Sequence, residues 1–335
     1  MLTRRDVLTI GGGGIGALTF GRIAIGESPK PLRVVGFAGA ANLPFWIGQD
    51  AGFFMREGIE PTLAITPNSV EMAENLYKGR FDLALTAIDN VVAYDEGQGE
   101  AQIPAEADFV ALFGVDDGML SVMAAPGIPS LADLKGKTVS VDALTTGFAF
   151  VLREMLAKAG LVDGDVTFVK AGGGAQRLER LLKGEQAATL LNAPLDLVAE
   201  AQGFVRLATA RDKLGPYQGI VGMARRGPAE AVRGPIEAFI RGFHAALRWL
   251  GAEDNREEAA SCLVRHMSGL DAALARRACD RLLDEETGIF RDLRVNRAGV
   301  ETVLRLRSAY ALPRKILQGP GHYIDDTYLS RALKG

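Results

Sequence analysis

Ten residues of this 335-residue chain have side chains suited to holding a small molecule. Asn42, Trp46, Ser69, Thr86, Asp89 and Asn90 fall in its first third, and Thr145, Thr146, Phe148 and Asn192 in its middle. The hydroxyls, carboxamides and single carboxylate offer hydrogen-bond donors and acceptors, and Trp46 and Phe148 offer flat apolar faces. Such a set binds rather than reacts. His244, His266 and His322, the three histidines, stand away from these positions. There is no Ser/His/Asp order, no HExxH and no paired-cysteine pattern. No Cys/His cluster marks a metal site, and nothing in the pattern calls for a cofactor.

All ten belong to expected strand-to-helix junctions. In the stretch 41–65, ANLPFWIGQDAGFFMREGIEPTLAI, Pro44-Phe45-Trp46 starts a helix, Gly52 and Gly58 break it, and a strand follows. With the preceding strand 32–37 this makes a βαβ unit, and ligands bind outside the carboxyl ends of strands in such sheets. Asn68 or Ser69 caps a helix over 70–78, with Glu71 in its first turn. Strands over 81–85 and 108–115 follow. After the breaker Asp116-Asp117-Gly118 comes a long strand, 119–125, and then a second series. Its strands are 138–141, 166–169, 187–191 and 204–207, and its helices are 147–159, 175–182 and 195–201, with Pro194 at the first position of the last. A strand over 217–224 precedes helices at 229–250, 256–267, 271–283, 297–310 and 325–332, each with apolar residues at i, i+3, i+4 spacing.

Two groups of strands predict an α/β protein of two lobes: 30–116 plus 222–335, and 117–221. The chain crosses between them twice, which makes a hinge with Asp116 and Asp117 on its surface. The binding residues then meet across a cleft. Ser69 and Thr145/Thr146 sit at helix starts, where backbone N–H groups can hold an anion or a ring acceptor. Ser69 and Asp89 also suit plain helix capping, and Trp46 suits the core of its lobe. Phe53-Phe54 lies at the far end of its helix from the cleft and reads as packing.

Hydrophobic residues make up 48% of the chain and charged residues 24%, with a net charge of −3. This is ordinary globular composition, without the basic block that nucleic acid or an anionic membrane requires. Residues 1–26 differ. Arg4-Arg5 precede an apolar, glycine-rich run too short to span a membrane, and Ala24-Ile25-Gly26 offers small residues for cleavage. This is the pattern of a twin-arginine export signal cut near Gly26, which places the mature chain in the periplasm. Gly11-x-Gly13-x-x-Gly16 matches a dinucleotide fingerprint in letters only, since no strand precedes it. Cys262 and Cys279 fall on helices that can pair as a hairpin about Ser268-Gly269, as two buried thiols or as a disulfide.

The segment PFWIGQDAGFFMREGIEPTL resembles the signature of the NMT1/THI5-like and SsuA/TauA group of solute-binding proteins. Four further segments follow in that family's order: LYKGRFDLA at 76–84, LADLKGKTV at 131–139, MLAKAGL at 155–161 and IDDTYL at 324–329. The resemblance covers about 32–333. It implies the type II periplasmic binding protein fold, a ligand closed between two lobes, and delivery to the permease of an ABC importer by a monomeric carrier. Family ligands are nitrate, sulfonates, taurine and pyrimidine-type thiamine precursors. The ten nominated residues include no Arg or Lys but do include Asp89. A buried carboxylate disfavours an anion, so the expected ligand is a neutral or amine-bearing heterocycle, with a sulfonate- or nitrate-like anion as the alternative. The other functions in view are an enzyme of cofactor-precursor metabolism on the same fold and a sensor without an importer.

Overall fold

The computed structural model describes residues 28–104 and 107–334. The twin-arginine segment and the glycine pattern at 11–16 lie outside the described residues.

In the first lobe β1 (Lys30–Gly36) leads through α1 (Leu43–Asp50) and α2 (Phe53–Arg56) to β2 (Ile59–Ile65), α3 (Ser69–Tyr77), β3 (Leu83–Ala87), α4 (Ile88–Asp95) and β4 (Phe109–Gly114). The chain then crosses over. β5 (Leu120–Ala124), β6 (Thr138–Val141), α5 (Gly147–Lys158), β7 (Thr167–Lys170), α6 (Gly174–Leu182), β8 (Ala188–Asn192), α7 (Leu195–Ala201), β9 (Val205–Thr209) and α8 (Ala210–Leu214) build the second lobe. It crosses back into β10 (Ile220–Arg225). The rest is helical: α9 (Arg226–Ala231), α10 (Arg233–Leu250), α11 (Arg256–His266), α12 (Ala272–Leu282), α13 (Arg297–Tyr310) and α14 (Thr327–Ala332).

Each sheet has five strands, in the orders β2-β1-β3-β10-β4 and β7-β6-β8-β5-β9. β1 pairs in parallel with β2 and β3, and β6 with β7 and β8. β10 and β5 run antiparallel to their neighbours. Both antiparallel strands directly follow a crossing, so each sheet contains one strand delivered from the other lobe. The expected strand 119–125 thus lies in the second lobe, as its place in the sequence predicts, and only the antiparallel pairing of β5 and β10 goes beyond the sequence pattern, because pairing partners are not written in local periodicity.

α10 carries Phe239 and Phe243 into the first lobe, where Phe239 stacks on Phe54 at 5.2 Å and lies 6.1 Å from Phe45. Phe54 is therefore core, as its place at the far end of the helix predicts, while Phe53 is only partly buried. α11 and α12 form the expected hairpin, and α11 packs on α1. Cys262 and Cys279 are both buried free thiols. α13 packs against α4 on one side and α5 on the other, so it touches both lobes.

The hinge turns on one buried carboxylate. Asp116 is 1% exposed, not a surface residue as its place in a DDG breaker indicates. Its Oδ1 accepts from the Gly118 N–H at 2.7 Å and from the Ile220 N–H at 3.0 Å. Its carbonyl accepts from Gly219 N–H and from Gln218 Nε2. The first crossing is thereby tied to the second. Burial pushes the Asp116 carboxyl up to about 6, against the two backbone donors that stabilise its charge. A folded-state pKa above the unfolded value near 3.8 makes the native state the better proton binder between those values. Its contribution is thus present below the unfolded value and lost as pH rises through about 6. Over that window the wild type should lose on the order of 3 kcal/mol from this group. Asp116→Asn keeps an acceptor for both N–H groups and removes the charge. Denaturant titrations between pH 4 and 7 should show a wild-type-minus-variant stability difference that falls with pH. A flat difference would count against this account.

Candidate functional site

The carboxyl ends of β1, β3, β6, β7 and β8 converge between the lobes on a cavity of about 60 Å³. Since about 10–15 Å³ is the minimum that holds one water, this is room for only a few such groups. Phe37, Ala38, Ser69, Thr86, Asp89 and Asn90 form the first-lobe wall. Asp142, Thr146, Phe148, Gly173, Arg177 and Asn192 form the second-lobe wall. A larger groove of about 450 Å³ lies elsewhere, along Arg294, Arg297 and Ser330, and none of the sequence-nominated residues lines it.

Seven of the ten nominated residues line the cavity: Ser69, Thr86, Asp89, Asn90, Thr146, Phe148 and Asn192. Helix α3 is capped by Asn68, whose Oδ1 accepts from Glu71 N–H at 2.8 Å. Ser69 is thereby relieved of capping. Its hydroxyl is buried without a hydrogen-bond partner. Asn90 Nδ2 donates to Thr86 Oγ1 at 2.8 Å.

The other three lie outside it. Asn42 Nδ2 donates to Phe37 O at 2.7 Å and so shapes the loop after β1. Trp46 stacks on His266, centroids 4.7 Å apart, on the side of α1 that faces α11. Thr145 is held by Glu100, whose Oε1 accepts from its N–H at 3.2 Å and from Leu144 N–H at 2.8 Å. Lys170 pairs with the same carboxylate.

Asp89 is not the free carboxylate its sequence surroundings imply. Arg307 of α13, 0% exposed, donates Nε to its Oδ1 at 2.8 Å and Nη2 to its Oδ2. The same Nη2 donates to Thr145 O at 3.0 Å, reaching into the second lobe. A bidentate pair with a further carbonyl satisfies the charge that burial would otherwise make costly. The premise that Asp89 awaits a ligand amine is therefore corrected.

Asp142 and Arg177 carry the open chemistry, and neither was nominated. Asp142 Oδ2 accepts from Ser69 N–H at 3.2 Å, sitting on the start of α3 across the cleft. Its Oδ1 is buried with no partner. Arg177 donates to Leu190 O and Gly172 O, with Nη1 to Gly172 at 2.9 Å, and no carboxylate among the described residues bonds it. Burial lowers the Arg177 pKa, and the Asp142 charge opposes that. Asp142 opens the loop 142–146 and was within reach of a strand-exit reading. Arg177 lies inside a helix and gave no local signal.

Close approach of the lobes depends on glycine. A Cβ on Gly147 would stand 2.4 Å from the Asp89 carboxyl carbon, and one on Gly39 would stand 2.7 Å from Asn192 Nδ2. Ala40 N–H donates to Ala193 O, and Gly173 N–H to Pro67 O at 2.8 Å, so backbone meets backbone across the cleft.

Two five-stranded α/β lobes joined by two crossings, closed over a cavity at their strand ends, define a protein of the periplasmic binding protein fold. Residues 41–252 match the family described as NMT1/THI5 like, and the chain belongs to that family. Among solved structures it is similar to a protein from Bordetella bronchiseptica, at 20% identity and TM-score 0.75, covering 91% of this chain and 97% of that one. It is similar to the periplasmic nitrate-binding protein NrtA from Synechocystis at 13% identity and TM-score 0.75, over 91% of this chain and 88% of that one. It is also similar to the alkanesulfonate-binding protein SsuA from Xanthomonas axonopodis bound to MOPS, at 19% identity and TM-score 0.66, over 84% and 91%. No curated protein matches the chain in sequence.

Arg307→Leu strands the Asp89 charge and should lower stability by about 3–5 kcal/mol, while the double replacement with Asp89→Leu should recover most of the loss. Chemical denaturation measures both, and equal stability of single and double variants would refute the pairing. Gly147→Val should leave each lobe folded yet hold the lobes apart. Small-angle scattering should then give a larger radius of gyration than wild type, and an unchanged value would exclude the wedge.

Proposed function

We propose that this chain is an exported, periplasmic solute-binding protein that closes two lobes, 30–116 plus 222–335 and 117–221, over a small molecule. As a monomer it delivers that molecule to the permease of an ABC importer and does not transform it. The family match and the neighbours named as nitrate- and alkanesulfonate-binding proteins support a binding role. The absence of a nucleophile–base pair among the described cavity residues supports capture without turnover. Transport is preferred to sensing on the same comparisons.

The ligand is a small, flat molecule that carries an N–H or O–H donor, such as an amine-bearing heterocycle. One observation carries this: Asp142 Oδ1 is buried and unpartnered in the cavity. A ligand donor there satisfies an acceptor that otherwise costs about 1–3 kcal/mol. Phe37 and Phe148 supply apolar walls, and Ser69 Oγ a second polar anchor. The preference first drawn from Asp89 thus passes to Asp142, since Arg307 already neutralises Asp89. The second reading, a small anion, rests on Arg177, a buried cation that no carboxylate among the described residues bonds.

A thermal-shift screen of aminopyrimidines, purines, aromatic amines, alkanesulfonates and nitrate separates the two. Ligand at 100 times Kd adds about 2.7 kcal/mol, a visible shift. The expected hit is a donor-bearing ring whose affinity falls roughly tenfold or more in Asp142→Asn, recovered unchanged after incubation. A sulfonate or nitrate hit that survives Asp142→Asn and is lost in Arg177→Met would establish the anion reading. A hit recovered as product would establish an enzyme.

A further inference from the structure

Away from the cleft, α1 and α11 bring together three side chains that the sequence keeps far apart. Asp50 ends α1; Cys262 and His266 are four residues apart on α11 and so share one helical face. One carboxylate oxygen, the thiol sulfur and one imidazole nitrogen lie within 4.8 Å of one another. Cys262 Sγ donates to Asp50 Oδ2 at 3.8 Å. No sequence motif announces this cluster, because the third donor is 212 positions from the cysteine.

We infer that Asp50, Cys262 and His266 form a binding site for a divalent transition ion of the zinc type. Sulfur, nitrogen and oxygen donors from three side chains, with water in the fourth position, match the tetrahedral habit of Zn²⁺ and the softness of its ligand set. Neighbouring donors in such a shell lie about 3–4 Å apart for bonds of 2.0–2.3 Å, so small rotations of Asp50 and His266 suffice. Both are exposed and can move, whereas the sulfur is buried on α11. The Trp46 ring, stacked on His266 with planes 5° apart, holds the imidazole from its face and leaves its edge, where the lone pair lies, free to coordinate. Arg265 donates to Asp50 Oδ2 at 2.7 Å and to Glu258 Oε1 at 3.1 Å, so it competes with the ion for Asp50 and retains Glu258 when displaced.

Binding replaces the Cys262 S–H bond with a sulfur–metal bond and releases that proton to solvent. No oxidant or reductant is involved. The ion clips the end of α1 to α11.

The test is a Co²⁺ titration of the reduced, metal-free full chain, with Zn²⁺ as competitor. The expected result is one equivalent bound, a thiolate-to-cobalt charge-transfer band, visible bands of tetrahedral intensity, and quenching of tryptophan fluorescence through Trp46. Cys262→Ser should abolish the charge-transfer band and Cys279→Ser should leave it. His266→Ala should weaken binding by roughly tenfold or more, and Arg265→Gln should tighten it. Absence of a thiolate band in the unsubstituted protein overturns the proposal, as does a band that persists in Cys262→Ser. If Cys262→Ser fails to fold, X-ray absorption on the zinc-loaded unsubstituted protein decides: one sulfur with nitrogen and oxygen scatterers supports the site, and a shell without sulfur overturns it.

Discussion

A charged carboxylate set between two protein lobes must be neutralised, and the closed form of this protein depends on how Asp89 meets that demand. Arg307 supplies a fork of donors that matches both carboxylate oxygens, and the same guanidinium reaches the Thr145 carbonyl of the opposite lobe. The pair belongs to α4 and α13, yet it faces the start of α5, where Gly147 has no side chain to obstruct it. Packing of α13 against α4 and α5 follows from the same arrangement. The ion pair thus fixes α13 against α4 and joins it to the second lobe through the Thr145 carbonyl.

With Asp89 satisfied, the remaining polar atoms of the cavity acquire meaning. The second-lobe Asp142 docks on the amino end of α3 through the Ser69 N–H and keeps one oxygen unpaired; the Ser69 hydroxyl is unpaired beside it. Arg177 adds a cation whose donors point at carbonyls. The four charged groups, Asp89, Asp142, Arg177 and Arg307, balance in sign. Under the proposed binding role, selection would rest on hydrogen-bond geometry and shape, within walls that lower the local dielectric and strengthen each polar contact. Beside the cavity, which Ile220 also lines, Asp116 ties the two crossings together.

Legibility followed locality. Asn68, Glu71, Pro44 and the glycines at helix ends act within one turn, so helix starts and stops were readable. Thr86, Asn90, Thr146 and Asn192 were found because a strand end followed by a polar loop is a local pattern. Trp46 shows the limit: the sequence left it between ligand face and lobe core, and the fold buries it in the core with its ring on His266 of α11. Asp89 shows it more sharply, since its partner stands 218 positions away and no spacing rule reaches that far.

The sequence by itself determined an α/β chain in two series, the strand-end placement of most cavity residues, and the family, because these rest on periodicity, capping and ordered short segments. Tertiary structure alone decided the antiparallel pairing of β5 and β10, the burial of Asp116, the saturation of Asp89 and the assembly of Asp50, Cys262 and His266. The reason is physical. Local propensity acts over a few residues, whereas charge pairing and coordination act over a few ångströms, and only the folded chain turns distance in sequence into distance in space.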